Sequence, residues 1–211
     1  MEVLVPFSTD RPKSRLSDVF SPDERAAFAR SMLDDVLRAV SDAGGEPRLL
    51  ATEELDPPVG HPVTVDSRSL TRAVNAVLAD RDPAESDPVG IVMADLALAT
   101  PDALARLFDA GGDVTIAPGR GGGTNALVVR DPSFRVDYHG ASYLDHREAA
   151  AAVDADVVVV DSHRLATDID ERADLVELLV HGDDTATAWL REAGVTLDVA
   201  EGRAGVVRDR S

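Results

Sequence analysis

The chain has no cysteine, only one lysine (Lys13) among its 21 Lys and Arg residues, and aromatic residues at just 4% of its 211 positions. Without cysteine there can be no disulfide framework, no thiolate metal site and no cysteine nucleophile. The scarcity of aromatics argues against an all-β, lectin-like binding surface. No apolar run approaches the ~18 residues of a membrane span. The opening MEVLVPFSTD lacks the basic-then-apolar order of a targeting segment. A soluble, cytoplasmic protein with no membrane partner is expected.

Acidic charge is abundant instead. Asp and Glu number 39, most of them aspartate, for a formal net charge of −18. Such a surface repels phosphate backbones, so nucleic acid is not an expected partner. The exchange of Lys for Arg and Asp fits a high-salt cytoplasm, where carboxylates hold hydration and salt screens their repulsion. At 44% hydrophobic residues the chain can still bury a core, which excludes wholesale disorder. The length suits a single domain spanning 1–211, with 195–211 reading as a polar C-terminal tail.

Short β-branched runs alternate with helical patterns. Ser21-Pro22-Asp23-Glu24 forms a capping box with proline at the first helical position. Phe28, Met32, Val36 and Val40 follow at spacing four until Gly44-Gly45 stops the helix. The run Val89 to Ala94 (VGIVMA) lacks polar alternation, as a central parallel strand covered on both faces would. Val157 to Val160 reads as another buried strand. Further strands are expected at 2–6, 48–52, 62–66, 114–117 and 126–129, and helices at 70–79, 102–110, 142–152, 173–180 and 185–193. This alternation predicts an α/β fold with one doubly wound, mostly parallel Rossmann-like sheet. Its ligands should lie at the carboxyl ends of the strands.

Five segments at those ends could carry chemistry. The loop VPFSTDRPKSRL gathers Arg11, Lys13 and Arg15 in a chain poor in lysine, which suits a polyphosphate; a solvated connector is the alternative. No GxxxxGK[ST] occurs, so a P-loop ATPase is not supported. Asp95, directly after the VGIVMA strand, is placed to hold a hard divalent cation or to cap the next turn. Asp168 and Asp170 share one side of an extended segment, and Asp174 reads as a helix cap. In GGGTNAL, residues 121–127, glycines permit close approach while Thr124 and Asn125 offer donors. In HGASYLDH, Ser142 could present a hydroxyl and a helix amino end to an anion, with His146 one turn later on the same face. A Ser-His hydrolase is disfavoured because no GxSxG elbow occurs.

Taken in order, VPFSTDRPKSRLSDVFSPDER, MADLAL, GGGTNAL, HGASYLDH and DIDERADL resemble the 2-phospho-L-lactate guanylyltransferase family of coenzyme F420 biosynthesis, in its halophilic archaeal form. The likeness runs from Val3 to about Leu179. It implies a fold of the nucleotide-diphospho-sugar transferase type and transfer of GMP from GTP to 2-phospho-L-lactate, giving lactyl-2-diphospho-5′-guanosine and pyrophosphate. Relatives in other lineages activate phosphoenolpyruvate or 3-phospho-D-glycerate, and a catalytically inactive nucleotide-binding module is a further alternative. The resemblance implies that Lys13 and Arg15 meet the GTP phosphates and that Asp95, Asp170 and Asp168 hold Mg²⁺. It gives Thr124, Gly140 and Ser142 the phospho-acid, and Lys13, Asp95 and Asp170 the catalytic roles. A homodimer is compatible with it. The chain departs from the family at Ala97, where a proline is usual, at Phe7 and Ser8, where many members carry a lysine, and at Glu171-Arg172, where Thr-Pro is common.

Overall fold

The structure is a computed structural model and is described for residues 1–199, 202 and 204–208. Seven strands form one sheet: β1 (Glu2–Phe7), β2 (Glu46–Ala51), β3 (Val63–Val65), β4 (Val89–Val92), β5 (Val114–Pro118), β6 (Thr124–Val129) and β7 (Val157–Val159). They lie in the order β3-β2-β1-β4-β6-β5-β7, and all run parallel except β6, which is antiparallel to both β4 and β5. The mostly parallel α/β sheet expected from the sequence is therefore present. The reversal of β6 brings its first residues, Thr124 and Asn125, to the edge where the parallel strands end.

Helices cover both faces. On one side, α1 (Pro22–Asp42) and α3 (Pro101–Asp109) bury Leu33, Val36, Val40, Leu104 and Leu107 against Val3, Val5, Leu49 and Val128. On the other, α2 (Leu70–Arg81) and α4 (Ser142–Ala151) supply Val74, Leu78 and Ala150 to a core with Leu4, Ile91, Ile116 and Phe134. Both faces of β4 are thus filled, which accounts for its unbroken apolar sequence. The α1 capping box forms as expected, with Ser21 Oγ accepting from Glu24 N–H and the Glu24 carboxylate accepting from Ser21 N–H. Among the described residues no helix is long and apolar enough to cross a membrane.

A third cluster extends the fold beyond the sheet. The short α5 (His163–Ala166) leads to α6 (Asp174–His181) and α7 (Thr185–Glu192), which pack Leu175, Leu178 and Leu190 onto Phe28, Ala29 and Met32 of α1. Trp189 lies 5.2 Å from both Phe20 and Phe28 by ring centroid. Asp35, buried in α1, accepts from the N–H groups of Thr185 (3.0 Å) and Ala186 (2.7 Å) and so fixes the start of α7.

Two expectations need correction. Val157 to Val160 is not a buried strand: β7 is at the sheet edge, and Val159 is exposed. Residues 195–211 are not simply a polar tail, because β8 (Val195–Asp198) and β9 (Gly205–Arg208) form an antiparallel hairpin. Val195 and Val206 are buried in the third cluster, and Arg208 pairs with Glu24 of α1. With so few apolar residues, such a segment shows no usable periodicity, yet its two buried valines are joined by Arg208, which also donates to the carbonyls of Val19 and Ala193, and by Arg172, which donates to the Val206 carbonyl. Residues 200, 201, 203 and 209–211 of that segment lie outside the described residues.

Candidate active site

Sheet polarity collects the loops after β1, β4 and β7 and the start of β6 at one edge. The loop after β1 passes through a single 3₁₀ turn at Ser14–Leu16, and Lys13 precedes that turn in left-handed conformation (φ 53°, ψ 43°). A non-glycine residue in this region is uncommon and costs on the order of 1 kcal/mol, so something must hold it there. Two carboxylates do. Lys13 Nζ donates to Asp95 Oδ2 at 2.9 Å and to Asp170 Oδ1 at 2.6 Å, joining segments 82 and 157 residues away in sequence. The Ile169 N–H donates to the Asp95 carbonyl at 3.1 Å, which ties the 168–170 segment to the end of β4.

The Lys13 side chain is only 9% exposed, whereas those of Asp95 and Asp170 are 28% and 37% exposed. Burial by itself pushes the ammonium pKa down, but Asp95 and then Asp170 outweigh it, and the value ends above that of an ordinary lysine. Lys13 is therefore charged at any physiological pH. An ammonium carries three donors, and with two given to the aspartates a third is left for an anion. Each carboxylate likewise keeps an oxygen not bonded to Lys13. Arg15 stands further out, 3.2 Å from Glu171 and 4.0 Å from Asp170 Oδ2.

Asp168 does not join this triad. It accepts from Asn125 Nδ2 at 3.3 Å, while the same amide donates to the Leu165 carbonyl at 2.9 Å. A Cβ on Gly119 would fall 2.5 Å from Asn125 Oδ1, so only glycine allows Asn125 to sit there. Asp174 is not the cap of α6: its side chain turns back and accepts from the N–H groups of Asp170 (3.1 Å) and Glu171 (2.8 Å), bracing the loop.

Cavities open on both sides of the triad. One, about 210 Å³, is lined by Phe7, Met32, Met93 and Ala94 together with Lys13 and Asp95. The other, about 310 Å³, contains Arg15, Arg120, Gly121, Asp168, Asp170 and Asp174. Arg120 was missed in the sequence; its position at the head of the glycine-rich loop was the available signal. A larger cavity of about 730 Å³ lies near the β8–β9 hairpin, away from the triad. Both of its arginines are already engaged, Arg208 on Glu24 and Arg25 on the carbonyls of Pro12 and Phe20.

Thr124 and Ser142 come together, but as a sealed unit. Ser142 Oγ accepts from the Thr124 N–H at 2.9 Å, Thr124 Oγ1 lies 2.8 Å from His146 Nδ1, and the Tyr143 N–H donates to the Gly122 carbonyl at 3.2 Å. Thr124, Ser142 and His146 are all buried. The His146 ring meets Tyr138 edge-on at 4.9 Å, and neither its Nε2 nor the Tyr138 hydroxyl has a hydrogen-bond partner. Burial lowers the His146 pKa to about 4 and raises that of Tyr138, so both are neutral near pH 7. His146 is thus held against Thr124 as packing. Gly140 lies apart, exposed, with φ +45° and no atom near the position a side chain would take.

The chain as a whole has relatives. A family model described as "Guanylyl transferase CofC like" matches residues 1–210. The chain is 61% identical to the 2-phospho-L-lactate guanylyltransferase of Halorubrum lacusprofundi, covering 99% of this chain and 100% of that one. It is 58% identical to the enzyme of the same name from Halomicrobium mukohataei, again over 99% and 100%. A solved structure from Desulfovibrio desulfuricans G20, named for nucleotide-diphospho-sugar transferases, superposes with a TM-score of 0.73 at 19% identity, covering 91% of this chain and 95% of that one, and establishes the likeness of fold. On the strength of the full-length match and these relatives, the chain belongs to the CofC-like guanylyl transferase family.

Proposed function

We propose that this enzyme transfers GMP from GTP to 2-phospho-L-lactate, forming lactyl-2-diphospho-5′-guanosine and releasing pyrophosphate, in coenzyme F420 biosynthesis. The observation that carries the reading is the buried Lys13 ammonium shared between Asp95 and Asp170 at the strand ends. Whole-length identity to relatives bearing that activity supports the choice of acceptor.

An oxygen of the acceptor phosphate attacks the α-phosphorus of GTP, a new P–O bond forms, and the α–β bridging bond breaks with its electron pair leaving on pyrophosphate. The nucleophile is already anionic, so no side chain is needed as general base; catalysis is positioning and charge neutralisation. Lys13 offers its remaining donor to the triphosphate, and Arg15 and Arg120 add positive charge on the side of the larger of the two flanking cavities. Phe7, Met93 and Ala94 give the smaller cavity an apolar lining suited to a nucleoside, while Arg15 and Arg120 on the other side offer cations to the phosphate and carboxylate of the acceptor. Gly140 and the amino end of α4 would meet the acceptor, with Thr124 and Ser142 setting the position of that helix end. The oxygens of Asp95 and Asp170 that Lys13 leaves free are hard donors of the kind a divalent cation takes, and Asp168 would join them by exchanging its bond from Asn125. When bound there, Mg²⁺ would neutralise the phosphates as a Lewis acid.

The test is pyrophosphate release at high salt with GTP, Mg²⁺ and each of 2-phospho-L-lactate, phosphoenolpyruvate and 3-phospho-D-glycerate. Release with the first well above the others is expected. Preference for another acceptor overturns the substrate assignment, and no release with any overturns the activity.

A further inference from the structure

The segment that carries Asp168 and Asp170 is bracketed by α5 and α6, and the outer surface of that bracket holds a second constellation. His163 on α5 and Glu177 and His181 on α6 place one donor atom each within 4.8 Å of one another, the one such group of three among the described residues. Glu177 and His181 are one helical turn apart, so their side chains rise from the same face. His163 Nε2 lies 3.2 Å from Glu177 Oε2, and His181 Nε2 lies 3.7 Å from the same oxygen. With metal–ligand bonds of ~2.0–2.1 Å, neighbouring ligands of a tetrahedral ion sit about 3.3–3.4 Å apart. The two measured separations straddle that spacing.

We propose that His163, Glu177 and His181 bind a divalent transition ion of the Zn²⁺ class, with solvent in the fourth position. Two imidazole nitrogens and one carboxylate match zinc and its neighbours in softness, whereas Mg²⁺ takes oxygen donors and octahedral geometry. All three side chains are partly exposed, which leaves an entry path and an open coordination position. Arg164, next to His163 in the chain, is engaged on backbone rather than on the carboxylate, its Nη1 donating to the carbonyls of Leu98 and His181. An ion here would clamp α5 to α6 and limit the freedom of residues 167–173 between them. It is separate from the aspartates at the strand ends, so the proposal stands whether or not the acceptor assignment above holds.

The experiment uses the untagged protein in high salt with excess Mg²⁺ to occupy hard-oxygen sites. Zn²⁺ binding is followed by calorimetry and Co²⁺ binding by its visible d–d spectrum. One ion per chain and a tetrahedral Co²⁺ spectrum are expected. His163→Ala and His181→Ala should each weaken binding by at least about 100-fold, the upper end of what losing a mere hydrogen-bond partner of a ligand costs, while Asp95→Asn should leave it unchanged. Added Zn²⁺ should raise the thermal midpoint of the wild type and not that of His181→Ala. Because the histidines are exposed, both variants should fold, which circular dichroism checks. Absence of binding in the wild type, or binding that survives the paired histidine substitutions, overturns the site. Loss in Asp95→Asn would assign the ion to the strand ends and overturn it equally.

Discussion

Two polar clusters occupy the same edge of the sheet and are built in opposite ways. Around Lys13 the two carboxyl groups are partly open to solvent, and each keeps an oxygen that Lys13 does not use. In the second, His146 is neutral and buried, and buried Thr124 is bonded both to it and to Ser142 at the start of α4. Both clusters come from segments that resemble the same family, yet the free oxygens of the first lie on partly exposed side chains, while the unpartnered atoms of the second, His146 Nε2 and the Tyr138 hydroxyl, are buried. The second fixes the glycine-rich loop against α4. Segments that belong to one family pattern can therefore differ in role, since the first region is arranged to exchange partners and the second to keep them.

The sharpest way to break this contrast is Asp95→Asn. It should slow GMP transfer by on the order of 10³, about 4 kcal/mol of barrier, with little change in thermal midpoint. Activity within tenfold of wild type would remove the triad from the chemistry. The buried cluster should answer to pH instead. His146 has a folded-state pKa of about 4, below its ordinary 6.5, so its neutral form favours the fold. That contribution, about 3 kcal/mol, is complete above pH 6.5 and is lost as pH falls through 4. Denaturant titrations over this range should show a shallower acid loss in His146→Gln than in wild type, and identical profiles would contradict the assignment. Thr124→Val removes the hydroxyl facing His146 Nδ1 and should cost about 2 kcal/mol of stability, read as a lower denaturation midpoint. If the folded variant also loses all activity at saturating acceptor, the boundary between the clusters falls. Lys13→Ala should raise the GTP concentration for half-maximal rate about tenfold and, by leaving Asp95 and Asp170 without their shared cation, also lower the denaturation midpoint. Unchanged GTP dependence would show that Lys13 serves only the fold.

Much of this arrangement was legible in the sequence where local rules decide it. The Ser21–Glu24 box, the α1 stripe and the apolar β4 follow from capping, periodicity and burial, and each appears in the structure. Lys13, Asp95 and Asp170 could be named from residue type and position after strands. Their direct contact could not, since it depends on how β1, β4 and the loop after α5 are ordered in space. The reversal of β6 was equally hidden, because an apolar run looks the same in either direction. An apolar run also looks the same at the edge of a sheet as at its centre, which is why Val157 to Val160 reads as buried. Asp174 reads as a helix cap because its place before α6 does not reveal that it folds back toward Asp170 and Glu171.

The ammonium between Asp95 and Asp170 also bears on the order in which the protein becomes complete. Two carboxylates brought together without a counter-charge would repel and would need an ion in place before the loop could close. Lys13 supplies that charge from within the chain. Closing this loop therefore needs no divalent ion, so the fold should form equally well with the chain stripped of metal, and a requirement for Mg²⁺ would belong to turnover alone.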